Sequence, residues 1–320
     1  MTLVPDPEVM AELALLFAAV GEIEAPPIGD VQTRRLNGHR LFDYVAAQRT
    51  PAPGVEVERY QVPAGDGTLL NAGWYYRQEA NQPGSAVLYL HGGGMIFALE
   101  HIGEMYDVAV REYVAASGVP MLVVDYRVAP EHPHPTPVED CYATVQWLAG
   151  NARALGFDRS RLAVMGDSAG GGLAAGVCLM ARDRGGPAVA QQLLIYPMLD
   201  DRTTIPDPQL LPFLTWTYDD NITGWGALLG ESAGTDRVSQ YAAPARADDL
   251  TGLPPTYIDT GDLDIFRDED IAYARRLADA GVPTELHLHP GCPHAFEGLA
   301  SGAGVSKRAI NDRVRRLHIL

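Results

Sequence analysis

At 320 residues, 47% hydrophobic and 20% charged, the chain has the composition of a folded protein with room for one large core plus an insertion, which excludes a wholly disordered chain. Its 24 basic against 41 acidic residues leave a formal charge of −17, a surface that repels phosphate backbones and anionic lipid, so no nucleic-acid partner is expected. Three widely spaced cysteines, Cys141, Cys178 and Cys292, contain no CxxC pair and fit neither a disulfide framework nor a zinc site; no metal and no cofactor are expected.

In chain order, Asp6-Pro7-Glu8 is a helix start, with an N-cap, a proline in the first turn and an acid beside it. Met10, Leu13, Leu16, Phe17 and Val20 then recur at helical spacing. The apolar run 13–20 is too short to span a bilayer, and Glu12 at its front does not suit a signal peptide, so a cytoplasmic protein without a membrane span is the expectation. A second short helix is expected over 38–48. Residues 55–62 alternate and 69–76 follow the turn Gly65-Asp66-Gly67, which makes an antiparallel hairpin. From 86 onward the rhythm becomes strand, loop, helix. Continuous apolar runs at 86–90, 121–124, 162–165, 193–196, 255–258 and 285–289 suit strands covered on both faces, and helical stretches fall around 109–116, 141–152, 170–182 and 268–280. The expectation is an α/β protein with a mostly parallel eight-stranded sheet and helices on both faces.

Residues 200–247 break this rhythm and carry Phe213, Leu214, Trp216, Tyr218 and Trp225. A structureless loop of that length is improbable in a compact domain. The expected division is a cap made of 1–50 and an insertion at 200–247, over a core built from 51–199 and 248–320. Met95, Phe213, Leu214 and Trp216 are the candidate substrate-pocket residues.

Gly166-Asp167-Ser168-Ala169-Gly170 lies between a buried strand and a helix, the setting of a nucleophile elbow. His91-Gly92-Gly93-Gly94 follows another strand. Consecutive glycines free the backbone to aim N–H groups at a developing oxyanion, and Gly93, Gly94 and Ala169 are the candidate donors. A phosphate loop is the weaker reading, since no lysine follows. His294, in the loop after the last strand, is the candidate base, because a Ser, acid, His order is the one this kind of sheet uses. The acid belongs after the penultimate strand, where Asp262, Asp264 and Asp268 compete and spacing alone does not choose.

These elements together resemble the bacterial hormone-sensitive-lipase-like carboxylesterases of the α/β-hydrolase superfamily. The matching stretches are His91-Gly-Gly-Gly94, Tyr126-Arg-Val-Ala-Pro-Glu-His-Pro133, Gly166-Asp-Ser-Ala-Gly-Gly171, Tyr196-Pro197, Leu253-Pro-Pro255, Asp264-Ile-Phe-Arg-Asp-Glu269 and Pro293-His-Ala-Phe296. The resemblance implies an α/β-hydrolase fold with a helical cap, Asp264 as the acid, and the same three oxyanion donors. It implies a serine esterase acting on short- to medium-chain acyl esters, and a homodimer, a state common in the family. Met95, Ile265 and Ala295 depart from the family's usual residues, which loosens any transfer of substrate preference. Other acyl hydrolases on the same scaffold (amidase, lactonase, deacetylase) are the alternatives. A peptidase lacks its gating domain here, and a non-catalytic binding homologue would resemble family members that lose the histidine.

Overall fold

The computed structural model describes residues 3–21, 25–78 and 84–320. Two helices, α1 (Pro7–Val20) and α2 (Val31–Ala47), precede the hairpin β1 (Glu56–Pro63) and β2 (Leu69–Tyr76). The alternating part then runs β3 (Gly84–Leu90), α3 (Leu99–Ser117), β4 (Met121–Val124), α4 (Thr136–Gly150), α5 (Ala152–Leu155), β5 (Phe157–Asp167), α6 (Ala169–Asp183) and β6 (Gln191–Ile195). Helix α7 (Tyr218–Leu229) lies in the insertion. It is followed by β7 (Thr256–Gly261), α8 (Arg267–Asp279), β8 (Thr284–His289), α9 (Phe296–Leu299) and α10 (Gly304–His318).

The strands form one eight-stranded sheet in the order β1-β2-β4-β3-β5-β6-β7-β8. The β1–β2 and β2–β4 pairs are antiparallel and the others are parallel. Alternate side chains feed two separate cores. Leu88, Leu122, Val164 and Leu194 pack with α4, α6 and α8, while Val87, Met121, Met165 and Leu193 pack with α3 and α10. The inner strands β3, β4, β6 and β7, and the second half of β5, are therefore covered on both faces, which is why they appear in the sequence as unbroken apolar runs.

Three helices differ most from the sequence expectation. Helix α2 begins at Val31 rather than 38, capped by the Asp30 side chain on Thr33 N–H. Its buried residues include Arg34 and Arg35, so apolar periodicity misses the first two turns. Helix α3 starts ten residues earlier than 109, through a stretch diluted by His101 and Gly103. Helix α10 was not expected at all. Its sequence is dense in charge, and a fully buried arginine, Arg313, occupies its inner face. Residues 200–247 hold α7 and three short 3₁₀ turns, in place of a long bare loop.

Candidate active site

The carboxyl ends of β3, β5, β7 and β8 lie on one rim of the sheet, where ligands meet open parallel sheets. Ser168 follows β5 with φ +55° and ψ −121°, a strained conformation for a residue with a side chain. Its backbone is held on both sides. Its N–H donates to the Ile195 carbonyl at 2.8 Å, and its carbonyl accepts from Met198 N–H at 2.9 Å and Gly172 N–H at 3.0 Å. The glycines around it are obligatory. A Cβ at Gly170 would lie 2.0 Å from the Leu90 carbonyl oxygen, and one at Gly166 would lie 2.3 Å from the Gly170 carbonyl oxygen.

His294 sits in the turn after β8 and is nearly buried. Its Nδ1 lies 2.6 Å from Asp264 Oδ2 and its Nε2 lies 2.9 Å from Ser168 Oγ. The other Asp264 oxygen accepts the Phe266 N–H at 2.9 Å, which fixes the carboxylate plane. Asp262 instead accepts the Gly291 N–H at 2.6 Å and pins the turn, while Asp268 is exposed and pairs with Arg267. Of the three acids open to the sequence, the structure thus brings Asp264 to the imidazole. The rings of Tyr196 and Phe266 stand edge-on to His294, at centroid distances of 4.7 and 5.1 Å.

The loop after β3 lies beside the serine. Gly93 and Gly94 have φ of +111° and +57°. Among the described residues no protein acceptor takes their N–H groups or that of Ala169, at the start of α6, where a helix N-terminus adds a positive field. The Gly93 carbonyl is held by the N–H groups of Ile96 and Phe97, each at 3.0 Å. His91 stacks on Tyr126 with centroids 4.2 Å apart, and burial pushes its pKa down to about 4, so it is a neutral packing residue. Tyr106 OH accepts the Gly92 N–H at 2.7 Å and donates to Asp167 at 2.6 Å; Tyr89 OH donates to the other Asp167 oxygen. Burial pushes the Asp167 carboxyl up to about 6 against those two donors.

A cavity of about 820 Å³ opens over Ser168, within the usual range for small-molecule sites. Its roof comes from α1, α2 and the 214–217 stretch, including Phe17, Leu41, Phe42, Leu214 and Trp216. Leu214 and Trp216 therefore face it as expected, but Met95 and Phe213 do not. Met95 is buried in the main core, its Cε 3.7 Å from where a Cβ on Gly172 would sit, because its φ of +67° turns the side chain under the loop. Phe213 sits in a 3₁₀ turn outside the wall.

The roof is tied down by polar anchors that carry no apolar signature in the sequence. Arg34 donates to Asp220 at 2.8 Å and to the Pro26 and Pro27 carbonyls, joining α2 to α7. Arg35 reaches the Ile96 and Ala129 carbonyls, at 2.7 and 3.0 Å, and pairs with both oxygens of Glu131. Thr215 OH donates to the His294 carbonyl at 2.6 Å. Tyr196 was visible only as part of a motif, with no role attached to it.

A family model described as alpha/beta hydrolase fold matches residues 87–298. The esterase LipI of Mycobacterium tuberculosis is 38% identical over 242 residues, covering 73% of this chain and 72% of that protein. The carboxylesterase NlhH of the same organism is 36% identical over 244 residues, covering 72% and 74%. Among solved structures, one titled bacterial heroin esterase superposes with a TM-score of 0.87 at 37% identity, covering 98% of this chain and 97% of its own.

Proposed function

Because this chain belongs to the alpha/beta hydrolase fold family and is a carboxylic ester hydrolase, we propose that Ser168 is its nucleophile, His294 its general base and acid, and Asp264 the group that orients the imidazole. The observation that carries this reading is the His294 ring, within hydrogen-bond reach of Asp264 on one nitrogen and Ser168 on the other. In that reading His294 Nε2 takes the Ser168 proton as Oγ attacks the ester carbonyl. The tetrahedral oxygen is received by the N–H groups of Gly93, Gly94 and Ala169, each worth on the order of 3 kcal/mol in the transition state. His294 returns the proton to the departing alcohol, and water then hydrolyses the acyl-enzyme by the same sequence. Ser168→Ala is expected to lose about 10⁴-fold or more in turnover of a short p-nitrophenyl ester. A rate near wild type would end the assignment.

Residues 1–50 and 200–247 serve as a cap in this proposal, and its apolar roof suits short- to medium-chain acyl groups. The three cysteines are unpaired and buried, which supports a cytoplasmic setting; an exported, disulfide-bonded form recovered from cells would contradict it. Among the described residues no helix is long and apolar enough to cross a membrane. A homodimer through β8 is supported by that strand's place at the sheet edge and by its part-exposed Leu286 and Leu288. Light scattering should return twice the chain mass for the native protein and one chain mass for Leu288→Lys.

A further inference from the structure

Behind the main cavity lies a second, small cavity of about 50 Å³. The two share one wall: Met105, Tyr106, Asp167, Tyr196 and Gly298. The small cavity reaches the surface between α3 and α10, where Ala109 and Ile310 face it and an Arg49–Glu112 ion pair, only partly buried, stands at its edge. Glu297 lines it, with Oε1 held by Tyr196 OH at 2.5 Å and Arg313 at 2.6 Å, while the buried Oε2 has no partner among the described residues. Asp167 lines it as well. A cavity of this size holds about two or three waters and is too small for an acyl chain. A buried carboxylate oxygen without a protein partner is the kind of group that ordered water satisfies.

We infer that this cavity is a water site that supplies deacylation, fed from the α3–α10 surface, so that water reaches the acyl-enzyme from behind while the cap side is filled by substrate and leaving alcohol. The inference rests on the acyl-enzyme reading of Ser168. Water crosses the shared wall past Tyr196, whose ring abuts His294. Its oxygen bonds to the acyl carbon as His294 Nε2 takes its proton. The bond from Ser168 Oγ to the acyl carbon then breaks, Oγ recovers that proton from His294, and the carboxylic acid leaves.

Two variants fill the cavity from opposite walls, Ala109→Leu and Ile310→Trp, and neither residue lines the main cavity. Each is acylated with p-nitrophenyl butyrate in the presence of n-propanol, which is too bulky for the small cavity, and the ratio of propyl butyrate to butyric acid is measured. That ratio is set within each acyl-enzyme molecule and does not depend on how much protein is folded. The expected result is a ratio raised about fivefold or more in both variants, with the p-nitrophenol burst rate within about twofold of wild type. An unchanged ratio in both, whether or not overall activity falls, would show that water enters through the main cavity and would overturn the inference. Absence of any Ser168 adduct with a fluorophosphonate in the wild type would instead remove the acyl-enzyme reading beneath it.

Discussion

The floor and the roof of the main cavity are held by opposite means. On the floor, backbone meets backbone. Gly166 lets β5 approach α6, and Gly170 lets α6 approach the end of β3, so closely that no other residue fits, and Ser168 is strained between Ile195 and Met198. The roof is held by side chains reaching across, through Arg34 to Asp220, Arg35 to loop carbonyls, and Thr215 to His294. A floor of this kind tolerates no substitution and holds atoms to fractions of an ångström. A roof of this kind can drift in sequence and change the shape of the space beneath it.

Gly170→Ala should break the floor outright. With its Cβ 2.0 Å from the Leu90 carbonyl oxygen, the variant is expected to lose about 4 kcal/mol or more, and to be recovered unfolded or inactive. A thermal melt within a few degrees of wild type would show that the elbow can relax, and the contrast would fail. Asp220→Ala should loosen the roof alone. It strands the buried Arg34 guanidinium, which keeps its bonds to the Pro26 and Pro27 carbonyls, at a cost of about 2 kcal/mol. In the proposed reading the roof meets substrate while the reacting atoms sit on the floor, so KM should rise about threefold or more while kcat holds. A fall confined to kcat would place the roof's influence on the chemistry instead. The smallest effect sharpens the comparison. Gly226 lies on the exposed side of α7 with open space around it, so Gly226→Ala should stabilise by about 0.5–1 kcal/mol, read as a raised melting temperature with unchanged kinetics.

The same division explains what could be read from the chain. The middle of the sheet was legible because its inner strands are covered on both faces and spell themselves as apolar runs, and the β1–β2 hairpin because β1 alternates and a Gly-Asp-Gly turn follows it. Ser168 and His294 were legible because an elbow demands glycines and the fold fixes the order of its parts. Asp264 was not separable from Asp262 and Asp268 by spacing, since the choice depends on how the turn after β7 folds back; one acid accepts the Gly291 N–H and another faces solvent. The roof was the least legible. Leu214 and Trp216 were found by their apolar character, but Phe213 shares that character and lies outside the wall. Met95 was misplaced because a left-handed backbone turn sends a side chain where its sequence neighbours do not go. The start of α2 was missed because its buried face carries Arg34 and Arg35, which a search for apolar periodicity cannot see; α10 does carry Val305, Ala309, Val314 and Leu317 at helical spacing on its buried face, a pattern overlooked among its charges.

Arg35 carries a consequence for anyone who would exchange the roof for that of a relative. Its guanidinium supplies donors to the carbonyls of Ile96 and Ala129, the first in the segment whose amides hold the Gly93 carbonyl. A transplanted helix lacking a cation at that spot would leave these acceptors dry and unmatched, and the glycine loop would be free to rotate. Chimeras intended only to reshape the binding space would then lose rate as well, unless the donor helix brings an equivalent of Arg35 and a counterpart to Glu131.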